Sequence, residues 1–256
     1  MIFWTLQEAE GDLLGLLTTP NQPYLAEAEI QRCAQMKIEK RRREWVLGRI
    51  TAKALLTSEG LPFAGQPMNS LLIENHPEGA PYIANQANPG NLSISHRERV
   101  AAAAYTEFST MQVGIDLEKI EPRAMSFVED FFTQAEAAYT NNLSGEAQQV
   151  WITLVWSAKE AILKAWQKGL RLDTRSIEIQ PVEPEHLLTR SDEWQPLAWQ
   201  ANISGFPLCW AGFRRWNEFI ITLAYSLPES KNPVLSPDIH RVQLSNFPDI
   251  NEISAA

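Results

Sequence analysis

Four short stretches of the chain carry residue types that could do chemistry. In Gly114-Ile-Asp-Leu-Glu118, extended backbone puts alternate side chains on one face. Asp116 and Glu118 then point the same way, with Gly114 leaving space beside them. Two carboxylates one pleat apart repel each other and want a cation, and their hard oxygens suit Mg²⁺, which keeps waters and recruits substrate phosphates. In Trp156-Ser-Ala-Lys-Glu-Ala-Ile-Leu-Lys164, residues Trp156, Glu160 and Lys164 recur at i, i+4 and i+8 and share a helix face. Ser95 and His96 end a third stretch, Asn91-Leu-Ser-Ile-Ser-His96. The fourth is a basic island: Lys37, Lys40, Arg41, Arg42, Arg43, Arg49 and Lys53 against Glu39 and Glu44, seven positive charges less two negative, a local +5.

Taken singly, each stretch has an ordinary reading: solvated acids at a strand end, a surface Glu–Lys pair, a structural histidine, a solvated helix face. In combination they suggest more. A carboxylate on a helix, two on a strand and a nearby lysine could hold a metal and neutralise a leaving phosphate. Phosphoryl transfer needs mainly such positioning and electrostatic stabilisation.

The elements that must position these groups are legible in outline. Residues 26–58 lack proline, hold one glycine and are rich in helix formers, so one or two helices are expected there. Val46, Leu47, Ile50 and Ala54 form an apolar stripe, and Arg42, Arg49 and Lys53 fall on the neighbouring face. Residues 60–91 are dense in Gly, Pro and Asn and read as loops around a short strand. Strands are expected at the start of the chain and at 92–95, 100–105, 112–118, 177–179 and 219–225. Thr133 and Glu136 have capping-box spacing, so a helix starts near 134. A strong amphipathic helix is expected from Val150 to Lys168, stopped by Gly169. The tail beyond Leu227 holds several prolines and is expected to trail over the surface. Val100–Tyr105 and Ile220–Tyr225 close two halves that each run helix, loops, strand, a faint sign of internal duplication.

Composition sets the outer bounds. With 45% hydrophobic and 21% charged residues, the 256-residue chain has the balance of a soluble globular protein. No apolar run nears the roughly 20 residues that span a bilayer, and no basic segment opens the chain as a secretory signal would. Cys33 and Cys209 lack CxxC partners, and the four histidines are scattered. Disulfides and soft-metal sites are therefore not expected, and a cytoplasmic location is. A net charge of −9 argues against bulk nucleic-acid binding.

In order and spacing, these stretches resemble the Sfp-type 4′-phosphopantetheinyl transferases of the holo-[acyl-carrier-protein] synthase superfamily. That family is marked by a (V/I)GxD(I/L/V)E segment, here Val113–Glu118, and by a (W/F)(S/C/T)xKEAxxK segment, here Trp156–Lys164. Phe131-Phe132-Thr133, the Lys168-Gly169-Leu170 run, Ser95-His96, the Gly79-Ala-Pro81 turn and the Arg43–Lys53 helix also look like family features. The resemblance implies an α+β fold, a pseudo-dimer of two similar subdomains over residues 1–112 and 113–227 with a tail at 228–256, and coenzyme A and Mg²⁺ at their junction. It further implies Asp116, Glu118 and Glu160 as Mg²⁺ ligands and Glu160 as the group that deprotonates the carrier serine. Lys164, helped by Lys159, would stabilise the departing 3′,5′-ADP. Ser95, His96, Arg43, Arg49 and Lys53 would hold the phosphates of coenzyme A. The partner would be an acyl or peptidyl carrier protein, usually acidic, which the basic edge would help to dock; the enzyme would work as a monomer. One departure stands out: the Gly-x-Pro turn often reads Gly-Lys-Pro, and here position 80 is alanine. The alternatives are a silent scaffold that binds without turnover, a nucleic-acid module using the basic island, and an unrelated Mg²⁺ phosphohydrolase.

Overall fold

The alternating start of the chain forms β1 (Ile2–Glu8), and the helix formers of 26–58 divide into α1 (Glu27–Ala34) and α2 (Glu39–Leu56). The computed structural model describes residues 1–18, 21–168, 171–226, 238–245 and 247–248. The chain separates into two units, Met1–Ser109 with Ser236–Ala256, and Thr110–Leu235.

In the first unit, β2 (Ile73–Asn75) and β3 (Pro81–Ile83) form a small antiparallel ladder within the Gly- and Pro-rich stretch. β4 (Asn91–Arg97) and β5 (Val100–Thr106) make a hairpin, and β5 also pairs antiparallel with β1. The hairpin turns at Glu98, whose φ of 54° is the left-handed geometry that two-residue turns demand. Ala101 to Ala104 are all fully buried in β5. Their small side chains let α2 pack closely on the sheet, burying Val46, Leu47 and Ile50. Gly48 marks the approach: a Cβ there would stand 3.0 Å from His96 Cδ2 and 3.1 Å from Ile94 Cγ2.

The same unit recruits part of the C-terminal stretch expected to trail over the surface. Ile239–Arg241 form β12, which pairs in parallel with β1 through Ile2 and Ile239, and Val242 N donates to Trp4 O at 2.8 Å. The reason lies in β1, whose outer edge would otherwise leave its backbone groups unpaired.

The second unit is built on β6 (Val113–Lys119) and the hairpin of β10 (Cys209–Trp216) and β11 (Phe219–Ser226), with β8 (Gln195–Pro196) at the far edge in the order β6-β11-β10-β8. Its hairpin turns at Asn217, again at positive φ, 50°. β7 (Ile177–Ile179) pairs with β9 (Trp199–Ala201). α3 (Met125–Phe131) and α4 (Gln134–Asn142) lead into α5 (Gly145–Ala165), and α6 (Pro184–Leu188) follows β7. α5 starts earlier than the periodicity predicts and ends at Ala165. Gln167 turns left-handed at φ 56° just beyond it, so the chain leaves the helix before Gly169, which lies outside the described residues. No helix among the described residues is long and apolar enough to cross a membrane.

Each unit holds one buried Glu–Lys pair of the same construction. Glu136, in the capping box with Thr133, accepts from Thr133 N at 2.7 Å, from Ile179 N at 2.7 Å and from Lys159 Nζ at 2.6 Å. Glu29 likewise receives Ala26 N at 2.9 Å, Ile73 N at 3.2 Å and the Lys53 ammonium. In both units one carboxylate ties a helix start, a short strand and the long helix together. The lysine side chains are fully buried in both cases.

Candidate active site

β6 and α5 bring the acidic stretches together as the alternation requires. Gly114, Asp116 and Glu118 share the face of β6 that meets α5. A Cβ on Gly114 would lie 2.0 Å from Ala161 O and 2.6 Å from Ala165 N, so the space beside the carboxylates is filled by helix backbone. This contact sets the depth at which α5 presents Glu160 and Lys164 to the strand. Gly114→Ala is therefore expected to push α5 outward. A displacement of 1 Å can cost about 10²-fold in rate, so any reaction at this site should slow at least that far, with a lower thermal midpoint. An unchanged midpoint and rate would show that the close approach is not what positions the site.

Asp116 has its side chain 6% exposed and accepts from Lys164 Nζ at 2.7 Å; the same ammonium reaches Ile115 O at 3.0 Å. Glu118 accepts from Trp156 Nε1 at 3.0 Å through Oε1 and from Arg123 Nη2 at 3.0 Å through Oε2. Glu160 Oε1 is buried with no hydrogen-bond partner. Its carboxyl is pushed up to about 7 by burial first and by the charge of Asp116 next; Lys164 opposes the rise and Glu118 adds to it. A carboxylate held near neutrality beside two others is a group that wants a cation or a proton to share.

The donor chemistry fits a hard divalent ion: three carboxylates, with Glu160 Oε1 buried and unsatisfied. The side chains are not closed into a cage, and among the described residues no group of three His, Cys, Asp or Glu is placed to hold a metal ion. Their present partners account for this. Lys164 and Arg123 sit on oxygens of Asp116 and Glu118, the two carboxylates that a cation would share with Glu160.

The expected phosphate contacts divide. His96 and Arg49 line one cleft of about 190 Å³ in the first unit, together with Arg32, Trp45 and Asn75. The Gly79–Pro81 turn forms part of its wall. Arg49 Nη2 donates to Asn75 Oδ1 at 2.6 Å and its guanidinium lies 4.9 Å from the Trp45 ring centre; burial, partly offset by Glu29, lowers its affinity for the proton to about 10. Ser95, next to His96 in β4, faces the opposite side of the strand and is not part of this cleft. Arg43 donates to Gly11 O at 2.6 Å and lines a different cleft with Lys40, Arg99 and the acids Glu39, Glu44 and Glu98.

Two of the lysines expected near the phosphates are buried in ion pairs in this structure. Lys53 and Lys159 are fully buried and paired with Glu29 and Glu136, and burial lowers the proton affinity of both. The helix edge of Arg42, Arg49 and Lys53 is thus not a solvated stripe, because two of its three cations turn inward toward Glu29. Arg32, Trp45, Asn75 and Arg123 were not singled out by sequence reasoning. For Trp156 and Glu136 signals existed, in the i, i+4, i+8 face and in the capping box.

An acidic trio served by a lysine thus lies on a strand and a helix of an α+β unit. The family model described as the 4′-phosphopantetheinyl transferase superfamily matches residues 112–224. The 4′-phosphopantetheinyl transferase HetI of Nostoc sp. is 28% identical over 189 residues, 72% of this chain and 75% of that protein. Sfp of Bacillus subtilis is 29% identical over 89 residues, 35% of this chain and 38% of that protein. The psf-1 transferase of Bacillus pumilus is 29% identical over 104 residues, so the chain spans less than half of either Bacillus relative, 43% of this one. Among solved structures, a holo-(acyl-carrier-protein) synthase from Bacillus anthracis in complex with CoA (3′,5′-ADP) matches with TM-score 0.36 and 19% identity, over 45% of this chain and 94% of that one. Residues 112–224 thus match the 4′-phosphopantetheinyl transferase superfamily, and the similar proteins include transferases of the HetI and Sfp kind.

Proposed function

We propose that Glu160 is the catalytic base of this transferase, which moves the 4′-phosphopantetheine group from coenzyme A to a serine of a carrier protein and releases 3′,5′-ADP. The observation that carries this reading is the position of Glu160. It is buried beside Asp116 and Glu118, and its Oε1 has no hydrogen-bond partner and is placed to accept a proton. Glu160 takes the proton of the serine hydroxyl, the serine oxygen bonds to the phosphorus that carries pantetheine, and the bond from that phosphorus to the leaving phosphate breaks. Lys164, 26% exposed and already beside Asp116, neutralises the charge that develops on the 3′,5′-ADP. Asp116, Glu118 and Glu160 would hold a divalent cation, Mg²⁺ on the chemistry of these oxygens, and it would supply further charge neutralisation for the phosphates.

His96 and Arg49 hold the nucleotide phosphates, with Arg32 as a further cation in the same cleft. In this reading the two units are copies of one fold, an internal pseudo-dimer, and the enzyme acts as a monomer. The matching Glu29–Lys53 and Glu136–Lys159 pairs and the matching β4–β5 and β10–β11 hairpins support it. Only the second copy carries the acids: counted from the paired hairpins, Thr5 and Gln7 of β1 stand where β6 has Asp116 and Glu118. The exposed cations Lys40 and Arg41 would meet an acidic carrier.

The test is intact-mass spectrometry of an apo carrier protein incubated with this protein, coenzyme A and Mg²⁺. A gain of one phosphopantetheine, lost on chelation, is expected. No gain with several carriers, despite measurable coenzyme A binding, would favour a silent scaffold.

A further inference from the structure

Arg123 sits five residues past Glu118, between the end of β6 and the start of α3, and none of the motifs that mark the family asks for it. Its side chain is 15% exposed. The guanidinium lies 4.7 Å from the centre of the Phe127 ring in the first turn of α3, while Nη2 donates to Glu118 Oε2 at 3.0 Å. Phe127 is itself braced by Trp156 and Phe131, with ring centres 5.1 and 4.9 Å away. Trp156 completes the arrangement by donating to Glu118 Oε1 at 3.0 Å. Glu118 is therefore gripped from two sides by donors mounted on one aromatic cluster, a built position rather than a chance surface pair.

The physical consequence follows from charge. Asp116, Glu118 and Glu160 crowd three carboxylates together; Lys164 answers one and Arg123 another. A hard cation entering the site needs carboxylate lone pairs, and the guanidinium donates to the Glu118 oxygen on which it sits. We propose that Arg123 is a positioning residue that acts as the internal counter-ion of the metal site: it holds Glu118 when no divalent cation is present and competes with that cation for Oε2. The inference rests on the reading of these carboxylates as metal ligands. On this account Arg123 weakens cation binding, keeps the empty site from repelling itself apart, and confines occupancy to conditions where substrate phosphates add their own oxygens.

Mn²⁺ binding read by electron paramagnetic resonance of the free ion, without substrates, tests this directly. Arg123→Gln is expected to bind Mn²⁺ about tenfold more tightly than the unaltered chain, and Arg123→Lys, which keeps the charge but not the planar fork, to fall between them. Arg175→Gln, which removes an exposed pair with Asp173, should change nothing. An unchanged or weaker Mn²⁺ affinity in Arg123→Gln overturns the inference. Thermal unfolding in chelator confirms that the variant is folded, and there it should melt below the unaltered chain. Glu160→Ala runs alongside: if it leaves Mn²⁺ binding intact, the metal-ligand reading itself fails, whatever Arg123 does.

Discussion

Glu160→Gln is expected to lower kcat for carrier modification by about 10³-fold while making the metal-free protein more stable above neutral pH. The amide keeps the shape of the side chain but removes the base, and general-base contributions run at roughly 10²–10⁴-fold. The stability half follows from linkage. The Glu160 carboxyl titrates near 7 in the folded chain against an ordinary 4.5, so the folded state holds a proton that the unfolded state has released. Its contribution is favourable below about 4.5 and is lost as pH rises through about 7. Asp116 and Glu118 on β6 and Lys164 on the same helix are the charged groups that act on it, after burial. Denaturant unfolding in chelator at pH 5 and pH 8 should show the unaltered chain losing stability between the two, and the glutamine variant losing less. Activity is thus held at the expense of stability, as is usual where function requires like charges to be buried together. A variant that is less stable at both values, or one that retains most of its rate, would show that Glu160 is not a strained base.

What could be read from sequence was whatever local periodicity controls. The face shared by Asp116 and Glu118, the helix face of Trp156, Glu160 and Lys164, and the capping box at Thr133 are all consequences of spacing within one element. They stand in the structure as the residues predict. Less visible was β10, where Gly212 and the adjacent buried Arg214 and Arg215 break the alternation that marks a strand. Residues 60–91 suggested loops around one strand because turn residues dominate them, yet β2 and β3 pair across the Gly79 turn. Val100 opens β5 directly after its hairpin, and Phe219 opens β11 in the same way. Lys53 and Lys159 were hardest, because a lysine in a helix reads as solvated unless its counter-ion is known. Those counter-ions lie 24 and 23 residues upstream, beyond any local pattern.

Lys159→Met follows from that long-range pair. Glu136 is fully enclosed and serves three donors: the start of α4, the edge of β7 and Lys159, whose ammonium also reaches Phe131 O at 3.1 Å and lies 5.4 Å from the Phe132 ring. Removing the ammonium leaves a buried carboxylate without its cation, which costs about 3–5 kcal/mol, a large share of the roughly 5–15 kcal/mol that holds an ordinary domain together. Urea unfolding of Lys159→Met should therefore show a much lower midpoint, while the KM for coenzyme A at low temperature stays near that of the unaltered chain. The double change Glu136→Gln with Lys159→Met should recover part of the loss, because it removes the orphaned charge along with its partner. The reverse pattern, an unshifted midpoint with a raised coenzyme A KM, would return Lys159 to the phosphate. It would also mean that the pair is not what fixes α5 against α4 and β7. The same substitution at Lys53, whose partner Glu29 receives Ala26 N and Ile73 N in the first unit, should cost a similar amount, because the two pairs are built alike.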